Sequence, residues 1–243
     1  MAEVVLSKRL QALVDMVTPG MRVVDVGCDH GFVSISLVQR GISPGVLAMD
    51  VRKGPLSRAQ EHIAEYGYAD YINTRLSDGL QEYREGEADS LICAGMGGRL
   101  MMKILTDSRE KAQGLQELIL QPQSELPAFR RFLRDEGYCI VDENILYEEG
   151  KYYFLMKVHY VGEAAQWILL NREDKLSQKL ADKFGPLLLQ RRSPMLKNFL
   201  EDSLENMRRI AENLAANDKE RAQKRLVEVQ QEITDLEMAL SLM

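Results

Sequence analysis

The spacing of apolar residues changes character along the chain. Up to about residue 160, short apolar runs typical of buried strands alternate with stretches in which apolar residues recur every three or four positions, as on one face of a helix. The short runs predict strands at 23–26, 46–50, 71–75, 89–94 and 117–121, followed by two longer strands at 138–147 and 152–160. The wider spacing predicts helices at 6–17, from 32 onward, and at 55–66, 99–106 and 125–136.

This alternation predicts an α/β fold: a parallel sheet with helices on both faces and an antiparallel hairpin at its C-terminal edge. In such sheets, ligands bind beyond the carboxyl ends of the strands, near the point where the strand order reverses. The residues that carry the chemistry should therefore lie at 25–31, 50–52, 77–80, 94–98 and 121–123.

The last third of the chain has a different pattern. After Gly162 glycine nearly disappears, and charged residues separate apolar positions three and four apart, as in a coiled coil or an antiparallel helical hairpin. The apolar positions are Trp167, Leu170, Leu176, Leu180 and Phe184, then a series from Leu196 to Leu214, then a series from Leu226 to Leu240. Breaks are expected at Gly185-Pro186, Ser193-Pro194 and Asn217-Asp218. The prediction is two domains, 1–160 and 161–243, the second a helical coiled-coil domain.

Composition narrows the class of protein. The chain has 243 residues and a net charge of −6, and none of its apolar runs approaches the roughly 18 residues of a membrane span. The first residues lack the pattern of a signal peptide, so we expect a cytoplasmic protein with no membrane partner. Cys28, Cys93 and Cys139 fit no zinc spacing, which predicts reduced thiols and no metal site. The acidic balance leaves a nucleic-acid partner open, because a local basic patch can neutralise several phosphates.

The loop after the first strand separates two classes of cofactor. Gly27 and Gly31 allow a tight turn and close approach of a ligand, but Asp29 replaces the middle glycine of an Asp-x-Gly-x-Gly-x-Gly pattern. A carboxylate there would repel a dinucleotide pyrophosphate and would suit the ammonium and sulfonium charges of S-adenosylmethionine. Asp25 adds a second acid, and Asp50 stands where a ribose diol is usually bound. The structural alternatives are that Asp29 and Asp50 only cap the helices that follow them.

Two further strand ends complete the candidate crevice. Asp78 and Gly79 follow the third strand, where an adenine edge is usually recognised, although Asp-Gly is also a common turn. The segment Gly95-Met96-Gly97-Gly98 follows the fourth strand and predicts a loop with exposed amides and room for a flat substrate. A tight crossover into the next helix is the simpler explanation of these glycines.

Together these motifs resemble a known family. Asp25-Val-Gly-Cys-Asp-His-Gly31, Ser77-Asp-Gly-Leu80, Ala94-Gly-Met-Gly-Gly98 and Leu118-Ile-Leu-Gln-Pro122 are similar to the bacterial tRNA (adenine-N1)-methyltransferases that modify position 22 in the D-arm. The resemblance covers nearly the whole chain. It implies a Rossmann-like class I methyltransferase fold, S-adenosyl-L-methionine as donor with S-adenosyl-L-homocysteine as product, and a tRNA adenine as acceptor. The implied donor-binding residues are Asp25, Gly27, Cys28, Asp29, Gly31, Asp50, Val51, Asp78, Gly79, Ala94, Gly95 and Met96.

The acceptor chemistry follows from the adenine ring. N1 carries an in-plane lone pair, so catalysis should consist mostly of placing N1 in line with the methyl group. Asp29 is the candidate for stabilising the cationic product ring, with His30 as a weaker proton acceptor. The Asn-Pro-Pro-Tyr type of loop used by exocyclic-amine methyltransferases is absent, which favours a ring nitrogen. The candidates for holding the base and the phosphates are Arg9, Arg99, Gln121, Gln123 and Tyr152.

The helical domain leaves its own alternatives open. It is not basic overall, so a tRNA role would depend on clusters such as Arg191-Arg192, Arg208-Arg209, or Arg221 with Lys224-Arg225. The alternative for each cluster is a solvated helix face, least so for the Arg191-Arg192 turn, which is expected in a loop. The alternative for the whole domain is a dimerisation coiled coil; otherwise a monomer is expected. The rival functions are a methyltransferase for a small molecule or another RNA position, a non-catalytic RNA-binding protein, and an NAD-dependent oxidoreductase.

Overall fold

The computed structural model describes residues 3–162, 177–216 and 220–243. The chain divides into two compact units, Met1–Glu173 and Asp174–Met243. The predicted boundary at 160 and 161 stays a prediction, because residues 163–176 are outside the described ranges. The apolar positions Trp167, Leu170 and Leu176 and the break at Asn217-Asp218 also lie outside them.

The first unit is built on a seven-stranded sheet in the order β3-β2-β1-β4-β5-β7-β6. Its strands are β1 (Val23–Val26), β2 (Val46–Asp50), β3 (Ile72–Leu76), β4 (Ser90–Met96), β5 (Glu117–Pro122), β6 (Tyr138–Glu148) and β7 (Lys151–Tyr160). Its helices are α1 (Lys8–Met16), α2 (Phe32–Gln39), α3 (Lys53–Glu65), α4 (Gly98–Asp107), α5 (Arg109–Gln113) and α6 (Leu126–Asp135). Strands β1 to β5 are parallel, and β7 pairs antiparallel with both β5 and β6. The predicted parallel sheet with an antiparallel edge hairpin is confirmed.

The predicted elements differ from the observed ones mainly at their ends. Helix α3 begins at Lys53 rather than Pro55, and β4 continues to Met96 rather than ending at Ala94. The five-residue helix α5 was not predicted, because a single helical turn is too short to show a period. Helix α1 begins as expected beside Ser7, whose Oγ accepts a hydrogen bond from the Leu10 amide at 3.4 Å.

The reversal of strand order determines where a ligand can bind. The chain runs outward from β1 through β2 to β3, then returns to the other side of β1 with β4 and β5. All residues of β1 and β2 are buried, with one apolar core on each face of the sheet. At the carboxyl ends of β1 and β4 the helices diverge to opposite faces, which opens a crevice at that edge.

The second unit is helical in its described residues. Its helices are α7 (Gln178–Phe184), α8 (Pro186–Gln190), α9 (Pro194–Ala215) and α10 (Glu220–Leu240). Leu196, Leu200 and Leu204 are buried along α9, and Arg208 of α9 pairs with Glu237 of α10 at 2.8 Å. The predicted breaks at Gly185-Pro186 and Ser193-Pro194 are confirmed, whereas coiled-coil supercoiling stays a prediction. In the described part of the chain, each helix is too short or too polar to cross a bilayer.

Candidate active site

A crevice of about 560 Å³ lies at the carboxyl ends of the parallel strands. Most of the predicted site residues line it: Arg9, Asp25, Gly27, Cys28, Asp29, His30, Asp50, Val51, Asp78, Gly79, Ala94, Gly95, Met96 and Gln123. They come from α1 and from the ends of the five parallel strands, so residues as far apart in sequence as Arg9 and Gln123 share one cavity.

The β1–α2 loop is held against β2. The amides of Gly27 and Cys28 both donate to the Met49 carbonyl, at 2.8 and 3.0 Å. Gly27 has a φ of 79°, a backbone conformation that favours glycine, and the absence of a Cβ leaves room for the Met96 methyl group.

Asp29 does not cap helix α2. The N-cap position is occupied by Gly31, with a φ of 75° and no side-chain hydrogen bond to the helix. Asp29 itself has the left-handed backbone, with a φ of 48°, and 59% of its side chain is exposed at the crevice. The capping alternative for Asp29 is therefore wrong. Its carboxylate lies at the crevice, with Oδ2 3.7 Å from His30 Nε2.

Asp25 is a buried carboxyl group in the wall of the crevice. Its Oδ2 accepts a hydrogen bond from Ser34 Oγ at 2.7 Å. Burial raises the pKa of Asp25 to about 6, the Ser34 hydrogen bond lowers it, and the charge of Asp50 raises it further. Two carboxyl groups that share one crevice favour a cationic ligand, which would relieve their repulsion.

Asp50 joins the end of β2 to the loops around it. Its carboxylate accepts the Arg52 amide at 2.9 Å and the Asp29 amide at 3.4 Å. Arg52 is the N-cap residue of α3, so Asp50 binds the amide just before the helix and does not cap the first turn. Val51, 58% exposed beside it, offers an apolar face at the lip of the crevice.

Arg9 and Gln121 meet beside the segment 95–99, called here the β4–α4 loop, which spans the end of β4 and the start of α4. The Gln121 Oε1 accepts hydrogen bonds from Arg9 Nη1 at 3.0 Å and from the Gly95 amide at 3.2 Å. The Arg9 guanidinium also lies 5.5 Å from the centre of the Tyr153 ring. Gln121 is fully buried and does not line the crevice, so it orients Arg9 from behind instead of contacting a base directly.

Several predicted residues lie outside the crevice lining. Gly31 packs against Ala59, and the exposed Arg99 side chain pairs with Glu125. The Tyr152 ring contacts that of Tyr147, with 4.7 Å between centroids. Arg191 and Arg192 are exposed residues of the second unit, at the end of α8.

The structure adds residues that sequence reasoning missed. Phe32 lies against His62, with 4.7 Å between ring centroids, and against His30 at 6.0 Å. His62 Nδ1 is 2.9 Å from the His30 carbonyl oxygen, so α3 supports the loop that carries His30. The aromatic residue at the start of α2 was visible in the sequence, but the contribution of His62 depends on how α3 packs.

The cysteine in the crevice is not a nucleophile. Burial raises the pKa of the Cys28 thiol, and the nearby Asp25 and Asp50 charges raise it further. The group therefore stays protonated and contributes packing. Among the described residues, no cluster of His, Cys, Asp and Glu could hold a metal ion.

The fold and the crevice define a class of enzyme. The strand order, the glycine turn after β1 and the acid at the end of β2 are those of the Rossmann-like class I methyltransferases. Residues 6–156 match the family model described as a methyltransferase domain. The protein is an S-adenosylmethionine-dependent methyltransferase.

Comparison with individual proteins gives the particular family. The tRNA (adenine(22)-N(1))-methyltransferase of Bacillus subtilis is 30% identical over 230 residues, which cover 94% of each chain. The crystal structure of the Bacillus subtilis m1A22 tRNA methyltransferase superposes with a TM-score of 0.83 at 29% identity, covering 98% of this chain and all of that one. Streptococcus pneumoniae Sp1610 in complex with S-adenosyl-L-methionine gives 0.81 at 30% identity, covering 97% of this chain and 100% of that chain. The chain belongs to the tRNA (adenine(22)-N1)-methyltransferase family.

Proposed function

We propose that this protein methylates N1 of adenine 22 in the D-arm of tRNA, with S-adenosylmethionine as donor, in the cytoplasm. The observation that carries the proposal is that two sets of residues line one crevice. The carboxylates of β1, β2 and the β1–α2 loop form the set called here the acidic, or donor, half, and Arg9 with the β4–α4 loop forms the other half. Family membership supports the choice of acceptor.

The acidic half suits the donor. S-adenosylmethionine supplies a methyl group activated by a positively charged sulfonium. Asp25 and Asp29 would face its positive charges, and Asp50 would accept hydrogen bonds from its ribose hydroxyls. Val51 would pack on the adenine, and Asp78 would accept from the exocyclic amine.

The other half suits a ring nitrogen. The Gly95 amide is occupied by Gln121, and the Met96 carbonyl accepts the Gln123 amide at 2.8 Å. The side chain of Met96 has no oxygen that could accept a hydrogen bond from an exocyclic amine. The carboxylate of Asp29 would stabilise the positive charge that develops on the ring, and the flipped base would be held near Arg9 and Gln123.

Replacing Asp29 with asparagine should lower turnover or donor affinity at least tenfold, equivalent to about 1.4 kcal/mol. The substitution keeps the size of the side chain and removes the charge that a cationic ligand or product needs. Steady-state kinetics and calorimetric titration with S-adenosylmethionine check it. If kcat and the dissociation constant for S-adenosylmethionine were unchanged, the role of Asp29 would be limited to the structure of the β1–α2 loop.

The Arg191-Arg192 turn is the candidate tRNA contact of the second unit, because both residues are exposed in a turn between two helices and not on a helix face. On the faces of α9 and α10, several cations lie beside acids: Arg225 with Glu228 at 2.6 Å, Lys224 with Glu220 at 2.7 Å, and Arg208 with Glu237. Such pairing reduces the charge that these helix faces present to a phosphate.

Reversing the charges of this turn, by Arg191→Glu with Arg192→Glu, should weaken tRNA binding at least tenfold and flatten its salt dependence. The same reversal at Lys224 and Arg225 should weaken binding less than threefold. Filter binding at several salt concentrations measures both. An equal loss for the two pairs would contradict a specific role for the turn.

Two assays test the proposed function. Calorimetric titration should show S-adenosylmethionine binding and much weaker NADH binding; a preference for NADH would refute the donor assignment. Labelled donor should then transfer its methyl group to unmodified tRNA that carries A22 and leave the G22 variant unlabelled. Equal labelling of both tRNAs, or none in either, would refute the acceptor assignment.

A further inference from the structure

Helix α4, which follows the β4–α4 loop, begins without a cap of its own. Its N-cap residue is Gly97, which has no side chain to accept a hydrogen bond from the first turn. The amides of Gly98 and Arg99 are therefore two of the donors that a helix start leaves without an intrahelical partner. In most helices the N-cap side chain satisfies one of them.

Residues from another loop satisfy these amides. Ser124 Oγ accepts the Gly98 amide at 3.3 Å, and Glu125 Oε2 accepts the Arg99 amide at 3.1 Å. Glu125 is itself the N-cap residue of α6, yet it makes no capping hydrogen bond to that helix. Its backbone adopts the left-handed conformation, with a φ of 58°, which costs a non-glycine residue free energy. The Glu125 side chain thus caps a neighbouring helix in place of its own.

The glycines of the loop fit this arrangement. A Cβ at Gly98 would lie 2.5 Å from the Ser124 carbonyl oxygen, and one at Gly97 would lie 3.2 Å from Ser124 Oγ. The two loops approach so closely that a side chain at Gly98 would separate them. Two further hydrogen bonds extend the contact, from the Gly95 amide to Gln121 and from the Gln123 amide to Met96. Residues 121–125 therefore hold residues 95–99 along their length.

The carboxylate also has a favourable electrostatic position. A negative charge at a helix N-terminus is stabilised by the partial positive charge of the unpaired amides. Glu125 additionally pairs with the guanidinium of Arg99 at the start of the same helix. One carboxylate thus fixes both the main chain and a side chain of α4.

We propose that Ser124 and Glu125 are positioning residues that cap helix α4 from outside and thereby fix the β4–α4 loop that receives the adenine. This inference rests on the proposed function, because it assigns the acceptor to that loop. The donor half is built on the ends of β1, β2 and β3 together with Ala94, Gly95 and Met96 of β4. None of these residues makes a hydrogen bond to Ser124 or Glu125 in the described structure, because the cap binds the later amides of Gly98 and Arg99. Loss of the cap should therefore impair methyl transfer without impairing donor binding.

The test compares Ser124→Ala, Glu125→Ala and Glu125→Gln in the full-length protein. The two alanine variants should each lower kcat for tRNA at least tenfold, with the dissociation constant for S-adenosylmethionine within twofold of the wild type. Glu125→Gln keeps an oxygen that can accept the Arg99 amide, so it should recover most of kcat. Ser43→Ala is the matched control, since Ser43 makes a comparable loop hydrogen bond to Gly45 at the opposite end of β2.

A second readout separates this inference from the proposed function. Amide hydrogen exchange at Gly98 and Arg99 should accelerate at least tenfold in the alanine variants and stay unchanged in Ser43→Ala. If the wild-type protein fails to methylate tRNA, the proposed function falls, but the exchange data still decide whether the cap exists. Unchanged exchange, unchanged kcat, or a parallel loss of donor affinity would each overturn the positioning role.

Discussion

Replacing Gly98 with alanine should remove most tRNA methylation while leaving donor binding intact. The added Cβ would lie 2.5 Å from the Ser124 carbonyl oxygen, a distance that main-chain atoms cannot accept without moving apart. The β4–α4 loop must then shift by roughly half an ångström or more, and misplacement of about 1 Å near a reacting centre can cost about a hundredfold in rate. We expect kcat to fall at least thirtyfold and the free energy of unfolding to fall by about 1–3 kcal/mol.

Gly54→Ala provides the matched control for this substitution. Gly54 also lies in the first turn of a helix, but it is exposed and a Cβ there meets no atom within 4 Å. Alanine at this position should raise the free energy of unfolding by about 0.5–1 kcal/mol and leave kcat unchanged. Denaturant unfolding and steady-state kinetics measure both variants. Equal activity of the two variants would contradict the account of the loop.

Replacing Asp25 with asparagine should stabilise the free protein at pH 7 while weakening donor binding at least thirtyfold. Burial raises the pKa of Asp25 from 3.8 to about 6, so the folded state binds this proton more tightly than the unfolded state. The stability that the group contributes is present below about pH 4 and is lost as the pH rises through 6. At about 1.4 kcal/mol per pH unit, ionisation of Asp25 lowers the free energy of unfolding by up to about 3 kcal/mol at pH 7. Asparagine does not ionise, so the variant would not lose this stability.

Urea unfolding between pH 4 and pH 7 and calorimetric titration with S-adenosylmethionine check this prediction. The stability difference between variant and wild type should be small at pH 4 and grow toward pH 7, and wild-type donor affinity should weaken below pH 6. Asp15→Asn is the control, because Asp15 is half exposed in a surface pair with Arg40 and should change stability by less than about 0.5 kcal/mol. The claim is that Asp25 destabilises the free protein and binds the donor. It would be contradicted if Asp25→Asn were less stable than the wild type at pH 7 or bound the donor with normal affinity.

The sequence predicted the strand ends well because each is marked by local chemistry. Short apolar runs end in an aspartate at β2 and are followed directly by a glycine at β1 and β4, and a parallel sheet brings such ends to one edge. The donor-side residues Asp25, Asp29 and Asp50 were identified in this way, and the structure places all three in one crevice.

Contacts between distant segments were not predictable from the sequence. Gln121 was interpreted as a contact for the base, but its 0% exposure and its bond to Arg9, 112 positions away, depend on the packing of α1 against β5. The capping of α4 by Glu125 has no signature in the sequence of either helix. The role of Asp29 as a cap was a reasonable alternative, which is excluded because Gly31 occupies the N-cap position of α2.

Nucleoside analysis of a methylated tRNA tests the central claim most directly. Wild-type protein, S-adenosylmethionine and unmodified tRNA with A22 are incubated, and the product is digested and mapped by mass spectrometry. We expect 1-methyladenosine at position 22 and no other modified nucleoside. N6-methyladenosine at that position, or a methyl group at any other position, would contradict it.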